Sequence, residues 1–155
     1  MDIIFVAVSC IYIHRMKDSL KRISDFIKEA KCLSVATQSN EGLWCASCYY
    51  AYDEKNVCLI FKSSDETRHV QDGLKNPVVA GTILPDKLET VSIKGVQFTG
   101  TFMEAKDDET ASLYYNRFPF ARAIGGRFWV IKLKTMKYTD NTLGFGTKLH
   151  WQLEK

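Results

Sequence analysis

The feature that most restricts this chain is a change of hydrophobic period at Cys32. From Lys17 to Ala30 the apolar residues Leu20, Ile23, Ile27 and Ala30 recur at steps of three and four, with Lys17, Lys21, Arg22, Lys28 and Glu29 between them, which predicts one amphipathic helix. From Cys32 to Thr37 the pattern alternates. Leu43 to Tyr52 is rich in aromatics, and Val57 to Phe61 is an apolar run too short for a buried helix. The links are Ser39-Asn40-Glu41-Gly42 and Asp53-Glu54-Lys55-Asn56. Parallel strands need crossovers of about a dozen residues, so links this short impose an antiparallel three-stranded meander.

The rest of the chain extends that sheet. Ser64 to Leu74 is polar and is followed by Asn76-Pro77, so a short helix with a stop is predicted there. Val78 to Leu84 returns to strand chemistry. Val91 to Met103 reads as one long strand interrupted at Gly95 and Gly100, where bulges or barrel corners fit. Lys106 to Tyr115 is a further helix, and Phe128 to Leu133 with Met136 to Thr139 supplies the last strands. No repeat or linker divides the chain. The predicted class is mainly β (α+β), a six- to seven-stranded antiparallel barrel with about three flanking helices.

Charge and cysteine usage exclude several functions. Lys plus Arg number 21 against 18 for Asp plus Glu, and an evenly spread +3 does not suit a nucleic-acid partner. No apolar run reaches the roughly 18 residues that a membrane-spanning helix needs. The apolar stretch Ile3 to Ile13 has its basic residues, His14 and Arg15, behind it, the reverse of a secretory signal. Residues 1–15 are therefore read as an N-terminal extension of a domain occupying 16–155, with a cytoplasmic location expected. Cysteines at 10, 32, 45, 48 and 58 are odd in number and lack paired zinc spacing, and His14, His69 and His150 do not cluster with them. Neither a disulfide scaffold nor a metal site is expected.

Three segments carry residues suited to chemistry. Lys62-Ser63-Ser64-Asp65-Glu66-Thr67-Arg68-His69 lies where a buried strand ends and a helix begins. Hydroxyls, a guanidinium and free N–H groups at a helix start suit an anion, although a capped helix with a solvated charge run has the same composition. Trp44-Cys45-Ala46-Ser47-Cys48 contains C-x-x-C, but on a strand its two thiols fall on opposite faces rather than at a helix N-terminus. The polar, glycine-rich run Tyr138 to Gly146 places Phe145 in what reads as either a functional loop or an ordinary turn. No nucleophile triad, paired carboxylates or Walker-type phosphate loop is present.

The order helix, three meandering strands, hydroxyl-rich turn, Asn-Pro, strand and glycine-punctuated strand resembles the pyridoxamine-phosphate-oxidase-like FMN-binding split-barrel proteins over about residues 17–140. The likeness rests on Ser63, Arg68 and His69 followed by Leu74-Lys75-Asn76-Pro77. It also rests on Leu43-Trp44-Cys45-Ala46, Thr67-Arg68-His69, Gly95-Val96-Gln97-Phe98 and Asp140 to Gly146, which match a poorly characterised bacterial branch. The resemblance implies a split β-barrel that binds FMN as a homodimer. Ala46, Ser47 and Cys48 would line the isoalloxazine, and Lys62, Ser63, Ser64, Arg68 and His69 would hold the phosphate. Gln97 would approach the ring, and Trp129 or the 140–146 loop would reach the partner's flavin. His69 stands where the better-known enzymes carry Lys, and the oxidase's paired C-terminal arginines are missing, so the oxidase's own activity is not implied. The implied function is a flavin-dependent oxidoreductase acting on an unidentified small molecule. The alternative is a non-catalytic binding module for a flavin, haem or other planar ligand.

Overall fold

The computed structural model describes residues 3–89, 92–143 and 148–153, with side chains from Met16 onward except that of Leu143. The elements run in the order α1 (Ile3–Glu29), β1 (Cys32–Ser39), β2 (Gly42–Asp53), β3 (Cys58–Ser63), α2 (Arg68–Lys75), β4 (Val78–Ile83) and β5 (Lys94–Glu104). They continue with α3 (Asp108–Arg117), a 3-10 turn (Pro119–Ala123), β6 (Arg127–Asp140), a second such turn (Asn141–Leu143) and β7 (Lys148–Gln152). All strand pairs are antiparallel, in the order β3-β2-β1-β4-β5-β6-β7. An additional β3–β6 pairing closes the first six strands into a ring and leaves β7 outside it.

The two short links behave as their residues require. Gly42 has φ +97, a left-handed conformation that side chains disfavour. Asp53 accepts bonds from both the backbone and the side-chain amide of Asn56. The bulge suggested by Gly100 is present as a register shift between Thr99 and Gly100, with the Ile131 side chain and the Lys132 carbonyl pressed against the glycine. Gly95 makes no bulge; it lets the Ile83 carbonyl approach.

Several boundaries differ from the sequence pattern: the long strand starts at Lys94 rather than Val91, and the helix expected over 106–115 is Asp108–Arg117. The helix before β1 starts at Ile3, so the apolar stretch continues it. The second helix starts at Arg68, because Ser64 to Thr67 form a turn. β6 is a single strand through Lys134 and Thr135, and β7 adds a strand whose five residues are too few to show a period.

Alternation puts Leu33, Val35, Tyr50, Leu59, Phe61, Ile83, Phe98, Phe102, Trp129 and Ile131 inside the barrel. α1 covers one end with Ile23, Phe26 and Ile27, where Tyr50 donates to the Ile27 carbonyl at 2.6 Å. Arg117 at the end of α3 satisfies the carbonyls of Lys28 and Ala30, each at 2.7 Å, which would otherwise lack partners at a helix end. α3 lies outside the barrel, over Ala51 and Ile60.

α2 plugs the opposite end. β2 and β3 are paired only from Tyr50–Asp53 to Cys58–Phe61, whereas Gly42–Tyr49 pairs with β1 alone. The two strands part beyond Tyr50, and α2 fills that end with His69, Val70, Asp72 and Gly73 buried. Gly73 is needed because a Cβ there would meet the Phe102 ring at 2.8 Å.

Candidate functional site

The split between β2 and β3 gathers the polar residues that the sequence placed at one turn. Alternation turns Leu59, Phe61 and Ser63 inward and Cys58, Ile60 and Lys62 outward. At the inner end of β3, Ser63 Oγ lies 3.0 Å from His69 Nε2 and 3.2 Å from Thr67 Oγ1. Thr67 in turn donates to the Ser64 carbonyl at 2.8 Å, so its hydroxyl does not cap α2 and the first-turn N–H groups keep no side-chain acceptor. Ser64 Oγ only receives the Glu66 amide within the turn. His69 is buried, which pushes its pKa below the ordinary value, while the Asp72 carboxylate acts the other way.

Arg68 reaches along the mouth. Its Nε donates to Asp72 Oδ2 at 3.4 Å and its Nη2 to the Glu41 carbonyl at 3.2 Å, and its guanidinium lies 4.7 Å from the centre of the Trp44 ring. A guanidinium has five N–H groups, so three of them have no acceptor among the described residues. Asp72 is 3% exposed and also receives Thr37 Oγ1 at 3.5 Å. Arg127, at the start of β6, pairs with Asp65 of the turn at 3.1 Å and with Glu104. Gly126, with φ +117, lets the chain pass the Ser63 carbonyl where a Cβ would come to 3.0 Å.

Other residues suggested by sequence lie elsewhere. Lys62 points to the outer face and donates to Tyr115 Oη at 3.1 Å, to the Ala121 carbonyl at 2.9 Å and to the Ile124 carbonyl at 2.6 Å. Its three N–H groups are all engaged, next to the Tyr115 and Phe128 rings. Trp129 is in the core, stacked on Phe102, with its indole N–H bonded to the Ser63 carbonyl at 3.2 Å; it supports the site from beneath. Ala46 and Cys48 face the interior, and burial pushes the Cys48 thiol up to about 12. Ser47 and Cys45 face outward, so the C-x-x-C thiols are on opposite faces. Gln97 is exposed on β5, level with Thr82 and Lys137. Gly144 to Gly146 lie outside the described residues.

Trp44, Thr37, Asp72 and Arg127 complete the mouth and were not singled out for it by sequence. Asp72 carried a signal, being four residues after Arg68 on one helix face. Arg127 and Thr37 carried none, because their partners, Asp65 in the turn and Asp72 on α2, lie far from them in sequence.

Among the described residues there is no group of three or more metal-ligating side chains, and no helix is long and apolar enough to cross a membrane. An antiparallel ring that parts between two neighbouring strands, with a helix in the opening, is the split barrel of the pyridoxamine-phosphate-oxidase-like proteins. Solved structures share it. A haem-binding protein from Mycobacterium smegmatis matches with TM-score 0.73 and 15% identity, over 86% of this chain and 57% of its own. A NimC/NimA family protein from Clostridium acetobutylicum matches with TM-score 0.66 and 16% identity, over 90% of this chain and 96% of its own. An FAD-binding protein from Mesorhizobium loti matches with TM-score 0.64 and 14% identity, over 76% of this chain and 91% of its own.

Within that class the chain belongs to the UPF0306 family. It is 37% identical over 137 residues to UPF0306 proteins of Yersinia pseudotuberculosis and Cronobacter sakazakii, a span of 86% of this chain and 93% and 95% of theirs. No family model matches the chain.

Proposed function

We propose that this chain binds FMN, holding the phosphate at the mouth plugged by α2, and works as a flavin-dependent oxidoreductase on a small molecule. The observation that carries this reading is the convergence of Ser63, Thr67 and His69 at a helix start whose amides are not capped by a side chain, with Arg68 opening that helix and holding N–H groups in reserve. That donor set fits a phosphate monoester: hydroxyls and backbone N–H groups donate singly, and a guanidinium grips two oxygens. Ser63, Arg68 and His69 would hold the phosphate, whereas the one hydroxyl hydrogen of Thr67 is taken by the Ser64 carbonyl and Lys62 has no donor left to give. When bound, the flavin supplies the electron chemistry, so the protein's part is binding, orientation and electrostatics. The haem- and FAD-binding neighbours are compatible with a planar ligand here. The hydroxyl groups around His69 Nε2 favour a phosphate over haem iron, which needs an unengaged imidazole nitrogen.

The outer face of β2, β1, β4 and β5 supports a homodimer. Short of the part of β2 that lies under α3, it presents Cys45, Ser47 and Tyr49, then Ser34, Ala36 and Gln38, then Val78, Ala80 and Thr82, then Gln97, Thr99 and Thr101, and none of these is charged. An uncharged face of this kind suits a self-complementary interface.

The test is optical. Titration of the purified chain with FMN is expected to quench flavin fluorescence and shift its visible bands, and anaerobic NADH or NADPH is expected to bleach the bound flavin. A chain that leaves FMN fluorescence unchanged is not a flavoprotein. A chain that binds FMN but stays yellow with every reductant tried is a binding module.

A further inference from the structure

Arg68 is set in place before any ligand arrives, and three groups set it. The guanidinium lies 4.7 Å from the Trp44 ring centre, which confines its plane; the Glu41 carbonyl takes one Nη2 hydrogen; and Asp72 takes Nε. Of the three, only Asp72 is a buried charge, 3% exposed on the inner side of α2. A carboxylate so deep costs free energy unless paired, so its retention beside a proposed anion site calls for a role. Its negative charge alone would repel a phosphate. Its geometry does the opposite, because a guanidinium held through Nε keeps its outer edge for another partner.

We propose that Asp72 is the positioning residue of this site: by holding Arg68 Nε against the Trp44 ring, it directs the remaining guanidinium N–H groups to the phosphate of the bound mononucleotide. The proposal rests on the phosphate reading above and adds to it a residue that never touches the ligand. It separates two effects of one side chain. If orientation dominates, neutralising Asp72 weakens phosphate binding even though it removes a repulsive charge. If repulsion dominates, the same change strengthens it.

The experiment measures dissociation constants for FMN and riboflavin in the full chain, the wild type beside Asp72→Leu, Arg68→Ala and the double variant; leucine removes both the charge and the acceptor for Nε–H. The wild type is expected to prefer FMN. Asp72→Leu is expected to lower FMN affinity about tenfold, leave riboflavin unchanged, and add little to the loss already caused by Arg68→Ala, the non-additivity of residues acting as a unit. Unchanged or tighter FMN binding in Asp72→Leu overturns the positioning role. A wild type that binds FMN and riboflavin equally overturns the phosphate reading itself, a result visible before any variant is made. Arg68→Lys on the partly exposed Arg68 gives an arm that does not depend on Asp72→Leu folding. Lysine keeps the charge but cannot be oriented through an Nε–H, so the FMN preference is expected to be lost. Retention of that preference shows that a point charge suffices and refutes the proposal.

Discussion

Lys62 and Arg68 stand six residues apart at the same turn, yet the fold uses them differently. Lys62 is the last outward residue of β3, and its three N–H groups end on Tyr115 and on the carbonyls of Ala121 and Ile124. It pins the 3-10 turn and the approach to β6 against the barrel wall. Arg68 opens α2 at the mouth and, among the described residues, spends two of its five donors. A cation with every donor engaged is structural; one with donors in reserve is available to an anion. Composition cannot tell these cases apart, because both are basic residues beside a hydroxyl residue, Ser63 in one case and Thr67 in the other.

Substitutions at the two positions are therefore expected to separate stability from binding. Lys62→Met should have the largest effect on stability, about 2 kcal/mol in urea unfolding, since it leaves carbonyl acceptors without a charged donor. Its FMN preference over riboflavin should be unchanged. Gly126→Ala sharpens the contrast from the backbone, because at φ +117 any side chain is strained and the Ser63 carbonyl is already close. A loss of about 1–2 kcal/mol is expected, with FMN binding weakened through displacement of Ser63. Arg68→Ala should lower FMN affinity about tenfold with riboflavin unaffected, and reduce stability by only about 1 kcal/mol through the Asp72 carboxylate it leaves.

The smallest expected effect is a pH dependence. Burial holds the His69 pKa below its ordinary value, so the folded chain binds fewer protons here than the unfolded chain. The His69 contribution is fully present above the unfolded pKa, near 6.5, and is lost as pH falls through the lowered folded value. Urea midpoints measured from pH 8 downward should decline in that window, and His69→Asn should flatten the decline. A midpoint that rises as pH falls through this range contradicts the neutral, buried imidazole.

Much of the fold was legible because its signals are local. The helix before β1, the meander with Gly42 and Asp53 in its turns, and the Gly100 bulge all follow from residues within a few positions of the feature. β7 was not, because Lys148–Gln152 is held by pairing to Thr135–Thr139 rather than by its own pattern. The site divides in the same way. Ser63, Thr67 and His69 are neighbours in sequence and meet in space, while Arg68 runs along the mouth to Asp72, Glu41 and Trp44. The distinction between Lys62 and Ser63 was present in strand alternation, which sends adjacent residues to opposite faces. Trp44 beside Arg68, Thr37 on Asp72 and Arg127 on Asp65 join strand residues to α2 and the turn before it across long stretches of sequence, and no local pattern announces them.

The most direct measurement is the ratio of FMN to riboflavin affinity in the wild type, Lys62→Met and Arg68→Ala, taken by fluorescence titration at one salt concentration. The ratio should favour FMN in the wild type, persist in Lys62→Met and collapse to about one in Arg68→Ala. Collapse in Lys62→Met with persistence in Arg68→Ala would place the phosphate on the other face of β3 and contradict the account.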